Sequence, residues 1–394
     1  MRFHFIVIIF ILSMICFRCT KMGSNPSTLP EINQNEMILT DASSPFNLSV
    51  TLLYNLLFLE HVYSWKNQSA SSVVIATRAG SGDIYMSYDL GSHFYQVYES
   101  ERERWKGCLT TASGRHLLWD EKSSKIWMFD ENWNLDKQIR TGNYGWLGNW
   151  GIAEYDQTIM YAEYAGDVDT LYVWRSQDDG DHWQKVFSQR GRCAEMVDIR
   201  HFHTVQPDPY NPHHWYVSSG DGPEESKIWK SSDNGSHWTN VTDPDPEGTH
   251  LKKVHRFTAI YFDESFLYWG TDDEMDGSAK FVRAKRAEPL QVEVINNLDN
   301  LVMSLISTPY GLLFISERKV TVAGKLLDFT ILLSPDQVNV QELYRISDHN
   351  SLKTGFCYAR SSIASNGDIF FSYFDGSLLF NKQQGMLKWN ISKK

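Results

Sequence analysis

The chain has 394 residues, of which 42% are hydrophobic, 22% charged and 14% aromatic, and its formal net charge is −11. The apolar fraction excludes a disordered chain, 12 Pro exclude a collagen-like one, and 5 Cys exclude a disulfide-stapled miniprotein. The acidic balance, 48 Asp and Glu against 37 Lys and Arg with no basic stripe, argues against nucleic acid as a partner and favours neutral or weakly charged ligands.

From the amino terminus, Phe5 to Phe17 (FIVIIFILSMICF) is apolar except for Ser13. The run is shorter than a membrane span and has the length of the apolar region of a secretory signal. The residues after it (FRCTKMGS) offer no small-x-small cleavage site. Residues 1–19 are therefore expected to be a signal peptide or an uncleaved anchor, placing the protein outside the cell, secreted or membrane-anchored. Residues 20–45 are polar with Pro and Ser and read as a tether, and 46–394 read as a single folded domain. Sequons at Asn47, Asn67, Asn234, Asn240 and Asn390 are compatible with an exported, glycosylated chain. Cys16 and Cys19 form a CxxC inside the targeting segment, and Cys108, Cys193 and Cys357 give no metal or disulfide framework.

The folded region then divides into short alternating strands. Blade-like groups of four run from VYSW to HFYQVY, from CLTTAS to LDKQI, from NWGIAEY to WQKVFS, from HFHTVQPD to HWTNV and from RFTAIYF to QVEVIN. A sixth group runs from LVMSLIS to VQELYR, and a seventh comprises GFCYARSS, DIFFSYF, SLLFNK and MLKWNI. Units of about 48 residues built from four strands are the signature of a β-propeller, so an all-β, seven-bladed propeller is predicted, with six blades as the alternative. The 14 Trp, 19 Tyr and 21 Phe are then mostly material for packing one blade on the next.

Three turns between the third and fourth strands share a pattern. SYDLGSHF begins at Ser87, SQDDGDHW at Ser176 and SSDNGSHW at Ser231, and a decayed copy, WMFDENWN, surrounds Asp130. In such a turn the Asp carboxylate accepts backbone N–H groups, Gly takes the left-handed conformation and the aromatic packs on the strand behind. The Asp is a structural clasp rather than a catalytic group.

The pattern resembles the Asp-box, or BNR repeat, of sialidase-like β-propellers, which include loosely described glycosyl hydrolases. That resemblance implies an exported protein that acts on or binds a glycan or polysaccharide. It does not extend to the exo-sialidase site: the Arg-Ile-Pro motif is absent, and Arg78 in Thr-Arg-Ala-Gly is the nearest positional counterpart of its first arginine.

The turns decorate one face, so a ligand site is expected on the other, where second strands end and first strands begin. Second-strand ends present Arg78, Asp120, Glu163, Tyr164, Asp221, Asp272, Asp273, Glu317, Arg318 and Asp375, a carboxylate from six of seven blades. Asp and Glu also mark strand ends before ordinary turns. First-strand entries add Trp146 and Trp150 in an aromatic loop, Arg200, His201 and His203, and His255 with Arg256. His201 and His203 alternate along a strand and so project to one side, about 7 Å apart along the backbone. They could flank a sugar, or share a metal with Glu163 and His255; alternatively one of them is an interior residue.

The expected site has Glu163 as general acid or base and His201 and His203 as proton-transfer or positioning groups. Arg200 and Arg256 would hold an anion, Trp150 and Tyr164 would stack on sugar, and Asp221, His255 and Asp272 would bind substrate. No metal and no cofactor is required. Two alternatives stand beside this hydrolase-like reading. One is a polysaccharide lyase, resembling the propeller lyases in which His and Tyr move a proton beside a neutralised uronate. The other is a carbohydrate- or protein-binding propeller without catalysis.

Overall fold

The computed structural model describes residues 36–39 and 45–394 apart from 56, 65–71, 79, 101–104, 106, 121, 143, 245–251, 274–277, 317–327, 347–360 and 376–382. Strands β1 (Glu36–Leu39) and β2 (Phe46–Asn55) come first. Six antiparallel four-stranded blades follow in chain order. Blade one is β3–β6 (Leu57–Ser64, Ser72–Arg78, Ile84–Ser87, Tyr95–Tyr98) and blade two is β7–β10 (Cys108–Thr110, His116–Asp120, Lys125–Phe129, Leu135–Ile139). Blade three is β11–β14 (Ile152–Tyr155, Thr158–Ala162, Thr170–Ser176, Gln184–Arg190) and blade four is β15–β18 (Phe202–Pro207, Trp215–Ser219, Ile228–Ser231, Thr239–Asn240). Blade five is β19–β22 (Tyr261–Phe262, Phe266–Gly270, Lys280–Lys285, Gln291–Asn297) and blade six is β23–β26 (Val302–Thr308, Gly311–Ser316, Phe329–Ser334, Gln341–Ile346). The seventh sheet holds β27 (Ser361–Ile363), β28 (Ile369–Asp375) and β29 (Gln383–Lys393) in the order β1-β2-β29-β28-β27. The molecule is a seven-bladed β-propeller, as the repeat length predicts.

The closing blade differs from the sequence reading. MLKWNI lies in β29, the third strand rather than the fourth, because β2 pairs antiparallel with β29 from Phe46↔Lys393 to Asn55↔Gly385. The amino-terminal strand thus supplies the outer part of the last blade. SLLFNK and the first residues of GFCYARSS lie outside the described residues, as do residues 1–35. β1 falls within the segment read as a tether, where it pairs with β2. Among the described residues no helix is long and apolar enough to cross a membrane.

Packing follows from the two-residue period of the strands, which gives each blade two apolar faces and makes every core a shared one. Leu118 and Trp127 of blade two meet Val73, Ile75 and Met86 of blade one, while Leu117, Trp119 and Met128 on the opposite face meet Ile159, Tyr161 and Trp174 of blade three. Similar clusters join each later pair of blades, and Leu53 of β2 with Phe370 and Met386 packs on Val74, Tyr85 and Phe94 to close the ring. Trp105, Trp119, Trp215, Trp269 and Trp389 are all fully buried in this way.

The three repeated turns have nearly superimposable bonding. In the third, Ser231 Oγ accepts from Gly235 N (2.8 Å) and donates to Asp233 Oδ1 (2.9 Å), and Asp233 accepts from the His237 backbone N–H (2.8 Å). The turns at Asp89 and Asp178 repeat this set, and Asp130 accepts from Asn132 N and Asn134 N in the decayed copy. Gly235 at φ +84° could not become Ala without strain, since a Cβ would lie 2.6 Å from Met160 Cε.

Closure by β2 is checked by Leu53→Ala. A fully buried Leu at the joint between the last and first blades should cost about 2–5 kcal/mol in urea unfolding. A loss below about 1 kcal/mol would show that β2 does not hold the ring together.

Candidate functional site

Blade four builds the cluster at the channel mouth. His201 precedes β15 and His203 lies in it, while Phe202 between them is buried in the core shared by blades three and four. Alternation therefore brings both imidazoles to one side, as the sequence pattern predicts. Asp221 follows Gly220 after β16. Gly220 has φ +100°, a Cβ there would sit 2.3 Å from the Glu225 carbonyl oxygen, and its N–H donates to the His201 carbonyl (3.1 Å). The tight turn that only glycine fits delivers the Asp221 carboxylate to the histidines.

His201 Nε2 lies 3.0 Å from His203 Nε2 and 3.2 Å from Asp221 Oδ1, and His203 Nε2 lies 3.4 Å from the same oxygen. The other ring nitrogens face main-chain carbonyls: His201 Nδ1 is 3.2 Å from Ala165 O, and His203 Nδ1 is 3.2 Å from Phe257 O. A carbonyl oxygen can only accept, so each ring directs an Nδ1–H at it. His201 Nε2, His203 Nε2 and Asp221 Oδ1 thus converge on one point. Burial pushes His201 down to about 4, which keeps this ring neutral at pH 7. The Asp221 carboxylate lies against the Arg200 and Arg256 guanidinium groups, which favour its ionised form.

The two arginines are occupied. Arg200 Nη1 donates to Asp221 Oδ2 (2.5 Å). Arg256, buried, donates through Nε to Asp272 Oδ2 (3.2 Å) and through Nη1 to the Asp221 carbonyl (3.3 Å), with Nη2 3.4 Å from Asp221 Oδ1. They order protein carboxylates instead of presenting two open anion forks. Tyr164 is 39% exposed and stacks on His201 with ring centroids 4.2 Å apart. It forms the open wall of the cluster.

Other expected members lie elsewhere. Glu163 is buried and faces away from the histidines, into the space between blades two and three. Its Oε2 accepts from Tyr172 N (2.9 Å) and its Oε1 from Trp174 Nε1 (3.0 Å). Gly142 makes room, since a Cβ there would lie 2.0 Å from Oε1. Burial raises Glu163 to about 7. Neighbours in sequence, Glu163 and Tyr164, therefore serve opposite sides of one backbone. The link between them is structural: the Glu163 carbonyl accepts from Phe202 N (3.2 Å), and Ala165, two residues on, holds His201 Nδ1.

Trp150 is half-buried with its ring folded over Gly148, and its carbonyl accepts from Val205 N, Thr204 Oγ1 and Gln206 Nε2. Trp146 is buried in the core of blades two and three. The expected aromatic shelf is thus reduced to Tyr164. His255 is buried at the end of a 3-10 turn (Lys252–His255) and Asp272 is bound by Arg256. Asp120 caps its own turn by accepting from Lys122 N and Ser123 Oγ, so the ring of rim carboxylates is in part ordinary turn chemistry. Glu317, Arg318 and the side chain of Asp375 lie outside the described residues.

The sequence reading missed the two carbonyls that set the imidazole tautomers, which carry no residue signature. It also missed the cleft around Glu163, about 530 Å³ and lined by Thr141, Tyr144, Tyr172, Trp174 and Lys185. The alternation of Tyr172 and Trp174 on one face of β13 was its available signal.

Solved propellers match this fold over nearly the whole chain. An oligogalacturonate lyase in complex with manganese superposes with a TM-score of 0.61 at 11% identity, covering 94% of this chain and 99% of that one. An oligogalacturonate lyase from Vibrio parahaemolyticus gives 0.56 at 11%, with 93% and 98% covered. A virginiamycin B lyase from Staphylococcus aureus gives 0.54 at 13%, with 88% and 99% covered. Identities this low establish the fold alone. No family profile matches the chain, and no curated protein sequence matches it.

Glu163 yields a pH test. Its folded value near 7 exceeds the ordinary 4.5, so the folded state binds the proton more tightly and stability is lost as pH rises from about 4.5 through 7. The loss should be on the order of 3 kcal/mol. Urea midpoints of wild type and Glu163→Gln at pH 5 and 8.5 should show the wild type losing ground to the variant at the higher pH. A constant difference between them would disprove the buried titration.

Proposed function

We propose that the channel mouth is a divalent-cation site that receives a carboxylate-bearing sugar, and that the protein is a polysaccharide lyase acting on uronate-containing glycans. The observation that carries this reading is the convergence of His201 Nε2, His203 Nε2 and Asp221 Oδ1 with both imidazole protons engaged on carbonyls. With both rings neutral these are three lone-pair donors without a hydrogen between them, an arrangement that calls for a cation. Two donors each about 2.1 Å from a shared ion lie about 3.0 to 3.4 Å apart at octahedral or tetrahedral angles, and 3.0, 3.2 and 3.4 Å are the separations here. Nδ1–H donation to a backbone carbonyl is the usual way a ligating histidine is oriented. The donor set suits Mn²⁺ or Zn²⁺. This departs from the expectation that no metal is needed.

A bound cation would neutralise the sugar carboxylate and so acidify the adjacent C5–H. Arg200, partly exposed beside Asp221, adds positive potential at the same place. Elimination then removes the C5 proton and breaks the C4–O4 bond, so that O4 departs with the neighbouring sugar and takes up a proton, leaving a C4=C5 double bond. Tyr164, exposed against His201, is placed to move the proton. Hydrolysis has less support, because Glu163, the expected general acid, is turned into the neighbouring cleft. The three Ser-x-Asp-x-Gly turns support a kinship with sialidase-like propellers at the level of the blade. The names of the solved lyases and the manganese of one of them favour the same reading. We further propose export, on the strength of the apolar run Phe5 to Phe17.

Chelator-treated protein titrated calorimetrically with Mn²⁺ or Zn²⁺ should bind one ion, and His203→Ala and Asp221→Asn should each weaken binding at least tenfold. Polygalacturonate and other uronate polymers should give the ultraviolet absorbance of an unsaturated product only with the metal restored. A protein that takes up no metal and shows a shared proton between His201 and His203 by ¹⁵N NMR would overturn the cation site. Glycan binding without unsaturated product would make the protein a binding module.

A further inference from the structure

The cleft beside Glu163 opens at the same rim as the mouth. Thr170 at the start of β13 pairs with Arg190 at the end of β14, and Thr141 follows the end of β10, so these parts of the wall come from strand ends that share the mouth's face, while Lys185 reaches in from the other end of β14. The two sites are separated by one backbone: Tyr164 stands over His201 while Glu163, one residue earlier, lies in the cleft floor. Opposite projection from one strand end sets them on the two sides of that backbone.

The lining suits such a ring. Tyr144 offers a 37% exposed aromatic face, and Thr141 and Thr170 offer hydroxyl groups. Lys185 Nζ lies 3.7 Å above the Tyr172 ring and 5.3 Å from that of Trp174. Among the described residues no carboxylate forms an ion pair within 4 Å of this ammonium; the Glu163 carboxyl in the cleft floor feels its charge at longer range, and Asp169 lines the rim. A lysine held over aromatic rings without a direct carboxylate contact can turn its charge to a ligand.

We propose that this cleft is a distal subsite for a second carboxylate-bearing unit of the same glycan, with Lys185 as the group that reads the charge and Tyr144 as the stacking surface. The inference rests on the mouth being a carboxylate-sugar site and adds where a further unit of the chain is held. Neighbouring units of a uronate polymer carry one carboxylate each, so a chain fixed at the mouth brings a further carboxylate to Lys185.

The test uses full-length protein with Mn²⁺ and oligogalacturonates from dimer to hexamer, with methyl-esterified oligomers as the uncharged control. Affinity of the wild type should rise with length, by about fivefold once the cleft is reached. Lys185→Met, which keeps the packing over Tyr172, should lose this gain while binding the dimer and Mn²⁺ as the wild type does, and Lys185→Arg should keep it. A dimer that binds as tightly as the hexamer, or a gain that survives Lys185→Met or appears equally with esterified chains, overturns the subsite. Lys185-dependent binding of long chains with no binding of the dimer leaves the subsite standing and overturns the mouth. No binding at any length overturns both.

Discussion

Everything in this molecule depends on the last blade being completed by the first strand. A propeller with an open seam would expose one apolar blade face on each side of the gap. Here β2 hydrogen-bonds along β29 and inserts Leu53 between Phe370 and Met386 of its own blade and Val74, Tyr85 and Phe94 of blade one. Leu53 Cδ1 approaches so closely that Gly91 could not carry a Cβ, which would lie 2.6 Å away. The repeated turn at Ser87 is thereby docked on the seam. Closure turns seven weak sheets into a ring in which each supports the next, and fixes the distances across the channel mouth.

Within that ring, side-chain alternation decides what reaches the channel. Phe202 is committed to the core, which leaves His201 and His203 no other direction than the mouth. At the end of β12 the same rule separates Glu163 from Tyr164. One residue of difference in register assigns a carboxyl to a cleft between blades and an aromatic ring to the histidines. The cleft and the mouth share a wall, in which the Glu163 carbonyl accepts from Phe202 N and the Ala165 carbonyl faces His201 Nδ1.

The length of a blade was readable because the turn chemistry repeats in the early blades, where Ser, Asp and Gly occupy fixed offsets and each offset corresponds to a bond in the folded turn, and strand alternation carried the count through the blades without it. The pairing of the two histidines was readable for the same kind of reason, since two-residue spacing in a strand is a geometric statement. Glu163 was misplaced because a residue at a strand end can turn to either side, and the partners that decide, Tyr172 N and Trp174 Nε1, belong to the next strand. Trp150 was misplaced because an aromatic-rich loop can cover itself. The closing strand was placed one element too late because pairing between the two ends of a chain leaves no local pattern.

The arrangement around Asp221 explains why two arginines are needed where free anion holders were expected. An aspartate on a turn would swing between the two imidazoles and solvent. Arg200 takes Oδ2, and Arg256 takes the Asp221 carbonyl and lies against Oδ1. The carboxylate is thus fixed with one oxygen toward the histidines, and little conformational freedom remains to be lost when a ligand arrives. Arg256 would place a bare positive charge in a buried site were it not for Asp272, which its Nε and Nη2 both contact. The charges close in sequence, from Arg200 to Asp221 to Arg256 to Asp272. The proposed cation would join this sequence at Asp221 Oδ1, the oxygen that already faces Arg256 Nη2, His201 Nε2 and His203 Nε2.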